Sequence, residues 1–205
     1  MGEPAKPLAF PWSDDDRAWP VQGQWTYDDY ARLPDDGQRY EVIRGNLYVT
    51  PAPNFDHQYA LGQIFLRLGN FGADTGLGFA LFAPFDVLLP EGIATPVQPD
   101  IVFFRKGNQP VSGDKNFQGV PDLVVEVESP STRKRDRTIK LDAYRDAGVP
   151  EYWRAEPRAR LVRVLALSED RARYVEAGCY GAGETVRSSL LPGLAIPVNA
   201  LFPPP

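Results

Sequence analysis

The segment VPDLVVEVES, residues 120–129, narrows the possible folds more than any other stretch. Val120, Leu123, Val124, Val125 and Val127 give it the density of β-branched and apolar side chains that marks a buried strand. Yet Asp122, Glu126 and Glu128 stand among them. A carboxylate leaves water at large cost unless it is paired, hydrogen-bonded or bound to a metal. Residues two apart share a strand face, so Asp122, Val124, Glu126 and Glu128 fall on one side, and Leu123, Val125, Val127 and Ser129 on the other. The second side is core. The first is either the wet face of an antiparallel sheet, where acids are merely solvated, or a site that compensates three carboxylates.

The rest of the chain supplies the frame. With 205 residues, 43% of them hydrophobic, one domain with a sizeable core is expected. Residues 1–20, rich in Pro and Asp, read as a flexible arm, and residues 21–205 as a single domain ending in a loose FPPP tail. TYDDYARLP reads as a short helix capped by Thr26 with Asp29 and stopped by Pro34. YEVIRGNLYVT reads as two strands about a turn at Arg44-Gly45-Asn46. In NFDHQYALGQIFLRLGNFG, Leu61, Ile64, Phe65 and Leu68 form a helical stripe, with Asn54 or Asp56 as cap and an end between Gly69 and Gly72. FALFAPFDVLL, VQPDIVFF and VPDLVVEVE read as three strands. TRKRDRTIKLDAYRDAGV reads as a helix ended by Gly148, and EYWRAE, RLVRVLAL and RARYVEAG as three further antiparallel strands. Together they predict an α/β chain: a mixed sheet flanked by helices, with additional antiparallel strands at the C-terminal end.

Some function classes drop out. A net charge of -5 argues against a nucleic-acid coat protein, although a local basic patch suffices for an enzyme that visits DNA. One histidine and one cysteine exclude a zinc site of the usual Cys/His kind. The lone Cys179, with no apolar leader, points to the cytoplasm. No apolar run approaches the ~18 residues of a membrane span.

The candidate chemistry lies at the middle strands. If VQPDIVFF pairs with VPDLVVEVE, Asp100 and Glu126 converge, and two carboxylates on neighbouring strands are how Mg²⁺ or Mn²⁺ is commonly held. Asp136, Lys140 and Tyr144 are four apart on the next helix and share a face, which aims a lysine at those acids. The bland alternative is an exposed acid–lysine pair, which spacing alone favours. Arg133, Lys134, Arg135 and Arg137 form the densest basic cluster, either a DNA-phosphate contact or a solvated helix start. His57 is a secondary candidate, since histidine titrates near neutrality. Ser131-Thr132 reads as a helix cap, and Tyr152, Trp153, Phe103 and Phe104 as core.

The run PDLVVEVESPSTRKRDRTIKLDAYRDAGVPEYW resembles the signature of the Uma-type (Uma-two) family of restriction-endonuclease-like proteins. YEVIRGNLY, the helix with His57, and QPDIVFF resemble it in order and spacing, over roughly residues 26–157. The resemblance implies the PD-(D/E)xK nuclease fold and metal-dependent cleavage of phosphodiester bonds. On it, Asp100 matches the aspartate of the PD motif and Glu126 the acid of (D/E)xK. Glu128 stands where the classical motif has lysine, and Lys140 on the helix takes that place. Glu41 matches an upstream glutamate counted with the site. Asp100 and Glu126 are then the metal ligands, Lys140 and Glu41 complete the catalytic set, and Asp122, Glu128, Asp136, Tyr144 and His57 are secondary candidates. DNA is the implied substrate and a homodimer the implied assembly. Two rivals stay open: a nuclease fold without catalysis, serving as an interaction or nucleic-acid-binding module, and a metal-dependent phosphatase acting on small phosphate esters.

Overall fold

The computed structural model describes residues 19–204. The expected arm therefore lies outside the described residues up to residue 18, and Trp19 stacks on Trp25 with ring centroids 5.5 Å apart.

The chain opens with α1 (Tyr27–Tyr30), whose capping box is the predicted Thr26–Asp29 pair. The hairpin β1 (Arg39–Ile43) and β2 (Asn46–Thr50) turns through Arg44 and Gly45, both at positive φ. α2 (Phe55–Thr75) is capped by Asn54, whose side chain accepts from the His57 N–H. Six short strands follow: β3 (Gly78–Phe82), β4 (Asp86–Leu89), β5 (Ala94–Val97), β6 (Ile101–Arg105), β7 (Asn116–Gln118) and β8 (Leu123–Val127). One helical run then joins α3 (Arg133–Arg135), a π turn (Asp136–Lys140) and α4 (Leu141–Ala147). The C-terminal part holds β9 (Glu151–Glu156), β10 (Leu161–Leu167), β11 (Tyr174–Tyr180) and the small pair β12 (Thr185–Val186) and β13 (Ile196–Pro197).

Two sheets result. The larger has the order β11-β10-β9-β8-β6-β3 and is antiparallel except where β8 pairs with β9. The smaller has the order β2-β1-β5-β4-β7, parallel only between β4 and β7. On one face of the larger sheet, Leu123, Val125 and Val127 pack against Ala60, Leu61, Ile64 and Leu68 of α2. On the other, Val124 packs with Ile43, Val87 and Val97 of the smaller sheet and with Ala143 and Tyr144 of α4. β8 is thus buried on both faces, and each of its apolar side chains stabilises the fold by about 2 kcal/mol. No wet face exists at β8.

Four expectations are corrected. FALFAPFDVLL and VQPDIVFF are each two strands, split between the sheets around Pro84 and Pro99. Proline cannot donate to a ladder, so each one marks the corner where the chain changes sheets. α2 runs through Gly69 and Gly72 to Thr75 and ends on Gly76 in the left-handed conformation. Gly72 is there because a Cβ would collide with the Gly78 carbonyl of β3. Thr132 does stand at the N-cap of the helical run, but its side chain makes no capping hydrogen bond and pairs with Ser129 instead. The tail is not loose, since Phe202 is buried and Arg160 donates to the Pro203 carbonyl.

Candidate active site

β6 and β8 pair with Ile101 opposite Val125. Asp100, one residue upstream, is thereby set beside Glu126, one residue downstream. Asp100 sits at the sheet-changing corner, and its Oδ2 accepts from the Val127 N–H at 2.9 Å and faces His57 Nε2 at 3.1 Å. Its Oδ1 accepts from Arg39 at 3.1 Å. Arg39 and Glu41 share one face of β1, so the smaller sheet contributes a cation and an acid together. Glu41 is fully buried, and its Oε1 accepts from the Gln98 N–H at 2.9 Å and lies 2.8 Å from Lys140 Nζ. Its Oε2 meets Arg135 at 3.5 Å.

The helical run closes the site. Its π turn carries Asp136 and Lys140, four apart and each 1% exposed. An extra residue in the turn realigns side chains, and such turns recur at functional sites. Lys140 Nζ lies 2.9 Å from Glu126 Oε1, the same oxygen that accepts from the Tyr144 hydroxyl at 2.6 Å. A cavity of about 240 Å³ opens above, lined by Arg39, His57, Asp100, Glu126, Arg135, Asp136 and Lys140 with the Ser129–Thr132 loop.

The charges explain why acids sit in the core. Burial opposes ionisation of Glu41 and Asp100. Lys140, Arg135 and Arg39 nevertheless hold Glu41 below its ordinary range, and His57, Arg39 and Lys140 hold Asp100 well below. Burial, joined by the charges of Asp100, Asp136 and Glu41, lifts Glu126 to about 8 against the pull of Lys140. Burial raises Asp136 to about 6, and both of its oxygens lack a hydrogen-bond partner. Its neighbours in charge raise Lys140 above the lysine range despite complete burial. Four carboxylates thus face three cations, Arg39, Arg135 and Lys140.

Among the described residues, no three His, Cys, Asp or Glu side chains form a ready metal cage. Mg²⁺ needs only one or two carboxylates, with water and phosphate oxygens completing its octahedron. Glu126 Oε2 accepts no hydrogen bond among the described residues, and neither does either oxygen of Asp136. This hard-oxygen donor set suits Mg²⁺ or Mn²⁺.

Residues 27–199 match the family profile described as "Uma2: Putative restriction endonuclease". The chain belongs to the Uma2 family. A solved structure titled as a "putative nuclease belonging to DUF820" from Anabaena variabilis superposes with a TM-score of 0.73 at 18% identity, covering 86% of this chain and 97% of that one. It shares the fold of this chain. Comparison with curated proteins gives no match. No helix among the described residues is long and apolar enough to cross a membrane.

Within this frame the sequence-read candidates separate. Asp100, Glu126, Lys140, Glu41, His57, Asp136 and Tyr144 come together. Asp122 lies at the far end of β8, where it accepts from Arg105 and Asn108 and fixes a turn. Glu128 turns away from the cavity into a bidentate pair with Arg137, which also holds Glu156. The basic cluster divides likewise: Arg135 lines the cavity, Arg133 and Arg137 pair with Glu128, and Lys134 is exposed. Arg39 was missed, although its place two residues before Glu41 on a strand was a usable signal. The π turn has no signature in the sequence.

Proposed function

We propose that this Uma2 protein is a metal-dependent endonuclease that hydrolyses DNA phosphodiester bonds. One observation carries the reading: the β6 corner, β8 and the π turn, distant in sequence, deliver Asp100, Glu126 and Lys140 to one cavity, and β1 sets Glu41, fully buried, behind Lys140. The family, described as restriction endonucleases, and the structural neighbour, titled a nuclease, agree with it. Asp100 and Glu126 would hold Mg²⁺ or Mn²⁺, which when bound supplies Lewis-acid charge against a phosphoryl oxygen and an activated water. Lys140, fixed between Glu41 and Glu126, orients the attacking water and offsets negative charge as it develops. Arg39 and Arg135 line the cavity, each with an unpartnered Nε–H, and suit a phosphate diester. Tyr144 holds Glu126 in place. Cutting both strands needs two such sites, so a homodimer belongs to the proposal, as does the cytoplasm, which suits the single cysteine.

The test is incubation with supercoiled, linear and branched DNA in Mg²⁺ or Mn²⁺ beside Glu126→Gln. Cleavage is expected to fall by roughly 10²-fold or more in the variant. Equal cleavage by both proteins sinks the reading. A second reading, the non-catalytic module, draws on the neutralisation of Glu41, Asp100 and Glu126 by the chain's own cations, which lets the fold stand without metal. It predicts DNA binding with no cleavage and no Mn²⁺ binding.

A further inference from the structure

Asp136 has no role in the arrangement above. It is 1% exposed, it lines the cavity with Asp100 and Glu126, and neither of its oxygens accepts a hydrogen bond. Its backbone is fully engaged: its N–H donates to the Thr132 carbonyl at 3.0 Å and its carbonyl accepts from the Tyr152 hydroxyl at 3.0 Å. The main chain is therefore pinned while the carboxylate is bare. Buried polar atoms are almost always partnered, and an orphan carboxylate is among the costliest exceptions. No cation of the protein meets it at ion-pair distance among the described residues: Arg39 is committed to Asp100, Arg135 to Glu41, and Lys140 to Glu41 and Glu126. Lys140, the Thr132 hydroxyl and Arg135 lie near enough to favour its charge but do not outweigh burial, so the carboxylate has room for a partner from outside the chain.

The state of the other acids says which partner fits. Oδ2 of Asp100 is filled by His57 and the Val127 N–H, while Oδ1 accepts only from Arg39 and keeps one lone pair. Glu126 Oε1 is taken by Lys140 and Tyr144, leaving Oε2. The oxygens with no hydrogen bond around the cavity are thus Glu126 Oε2 and the pair on Asp136, beside the half-used Oδ1 of Asp100. An anion is excluded by their charge. A divalent cation with hard-oxygen preference meets both, with water filling its remaining positions.

We propose that Asp136 is a direct ligand of the divalent cation, together with Glu126 Oε2, while Arg39 and His57 stay on Asp100. This rests on the metal-dependent reading above and adds a ligand from the helical run to the two strand acids. The burial that raises Asp136 to about 6 accords with a carboxylate waiting for a positive partner.

The test is calorimetric titration of the metal-free protein with Mn²⁺ alone, comparing wild type, Asp136→Asn and Asp122→Asn, with melting temperatures measured in chelator and in Mn²⁺. Asp136→Asn is expected to weaken Mn²⁺ binding at least tenfold, to melt higher than wild type in chelator, and to lose most of the Mn²⁺-induced rise. Asp122→Asn, altered at the far end of β8, should keep wild-type Mn²⁺ affinity. Unchanged affinity in Asp136→Asn overturns the inference and leaves the metal-dependent reading standing, since the wild type still binds. A wild type that binds no Mn²⁺ overturns both. Melting below wild type in chelator, with unchanged affinity, would make Asp136 a structural residue or the host of an ordered water.

Discussion

Lys140 and Asp136 lie one helical turn apart and are equally buried, but their surroundings set them in opposite states. Lys140 has two carboxylates within 2.9 Å, so its charge is stabilised in the fold. Asp136 has no cation at ion-pair distance among the described residues, and burial raises it from 3.8 to about 6 against the weaker pull of Lys140, the Thr132 hydroxyl and Arg135. For an acid, a raised folded value means that the native state binds the proton more tightly than the unfolded chain does. The group then costs nothing below about pH 4, and its ionisation destabilises the fold progressively up to about pH 6. A shift from 3.8 to about 6 corresponds to about 3 kcal/mol at neutral pH. In chelator, Asp136→Asn should therefore match wild type in stability near pH 4 and exceed it by about 3 kcal/mol at pH 7. Urea unfolding at four or five pH values measures the gap, and a gap that stays flat with pH contradicts the account. Asp100 does not blur this window: its depressed value stabilises the fold above the ordinary aspartate range and is lost only in stronger acid.

At the level of elements, α2 is held to β3 by the absence of a side chain. A Cβ at Gly72 would strike the Gly78 carbonyl and come within 3.0 Å of Phe103, whereas a Cβ at Gly69 meets nothing within 4 Å. Two glycines in one helix should then respond with opposite sign. Gly72→Ala should cost about 1–3 kcal/mol through overpacking. Gly69→Ala should stabilise by roughly 0.5–1 kcal/mol, because alanine loses less conformational freedom in a helix. Denaturant midpoints of the two variants decide it, and a shift of the same sign in both removes the packing argument. The pair also explains what was legible. The apolar stripe of α2 and its Asn54 cap were readable because they follow helical period and local chemistry. Its end was not, because the reason for Gly72 is a strand that contacts it from outside the helix. Pro84 and Pro99 misled in the same way: a proline announces an interruption, but only the second sheet makes that interruption a corner.

Across the whole molecule, the site was legible where acids broke an apolar pattern, as at Asp100 and Glu126, and illegible where ion pairs form at a distance. Nothing local separates Glu126 from Glu128, two residues on. Their fates diverge because Arg137 and Arg154 approach Glu128, while Lys140 and Tyr144 approach Glu126. The same pairing decides how a chain of net charge -5 would hold DNA. Of the four clustered cations, Arg133 and Arg137 are bound to Glu128, which leaves Lys134 without an ion pair among the described residues, and Arg135 and Arg39 at the cavity, each paired with an acid but with its Nε–H unused. Each phosphate neutralised contributes about -0.9 to the slope of log affinity against log salt. Three available cations predict a slope of about -3 per protomer, well short of that of a protein coated in lysine and arginine. Lys134→Ala should bring it to about -2, whereas Arg133→Ala should leave it unchanged, since that guanidinium answers an acid of the protein itself. Fluorescence anisotropy with a short duplex, in Ca²⁺ to prevent cleavage and over a range of salt, reads the slopes directly. Equal losses in the two variants would mean that Glu128 releases Arg133 on binding, and that the basic cluster acts as one surface.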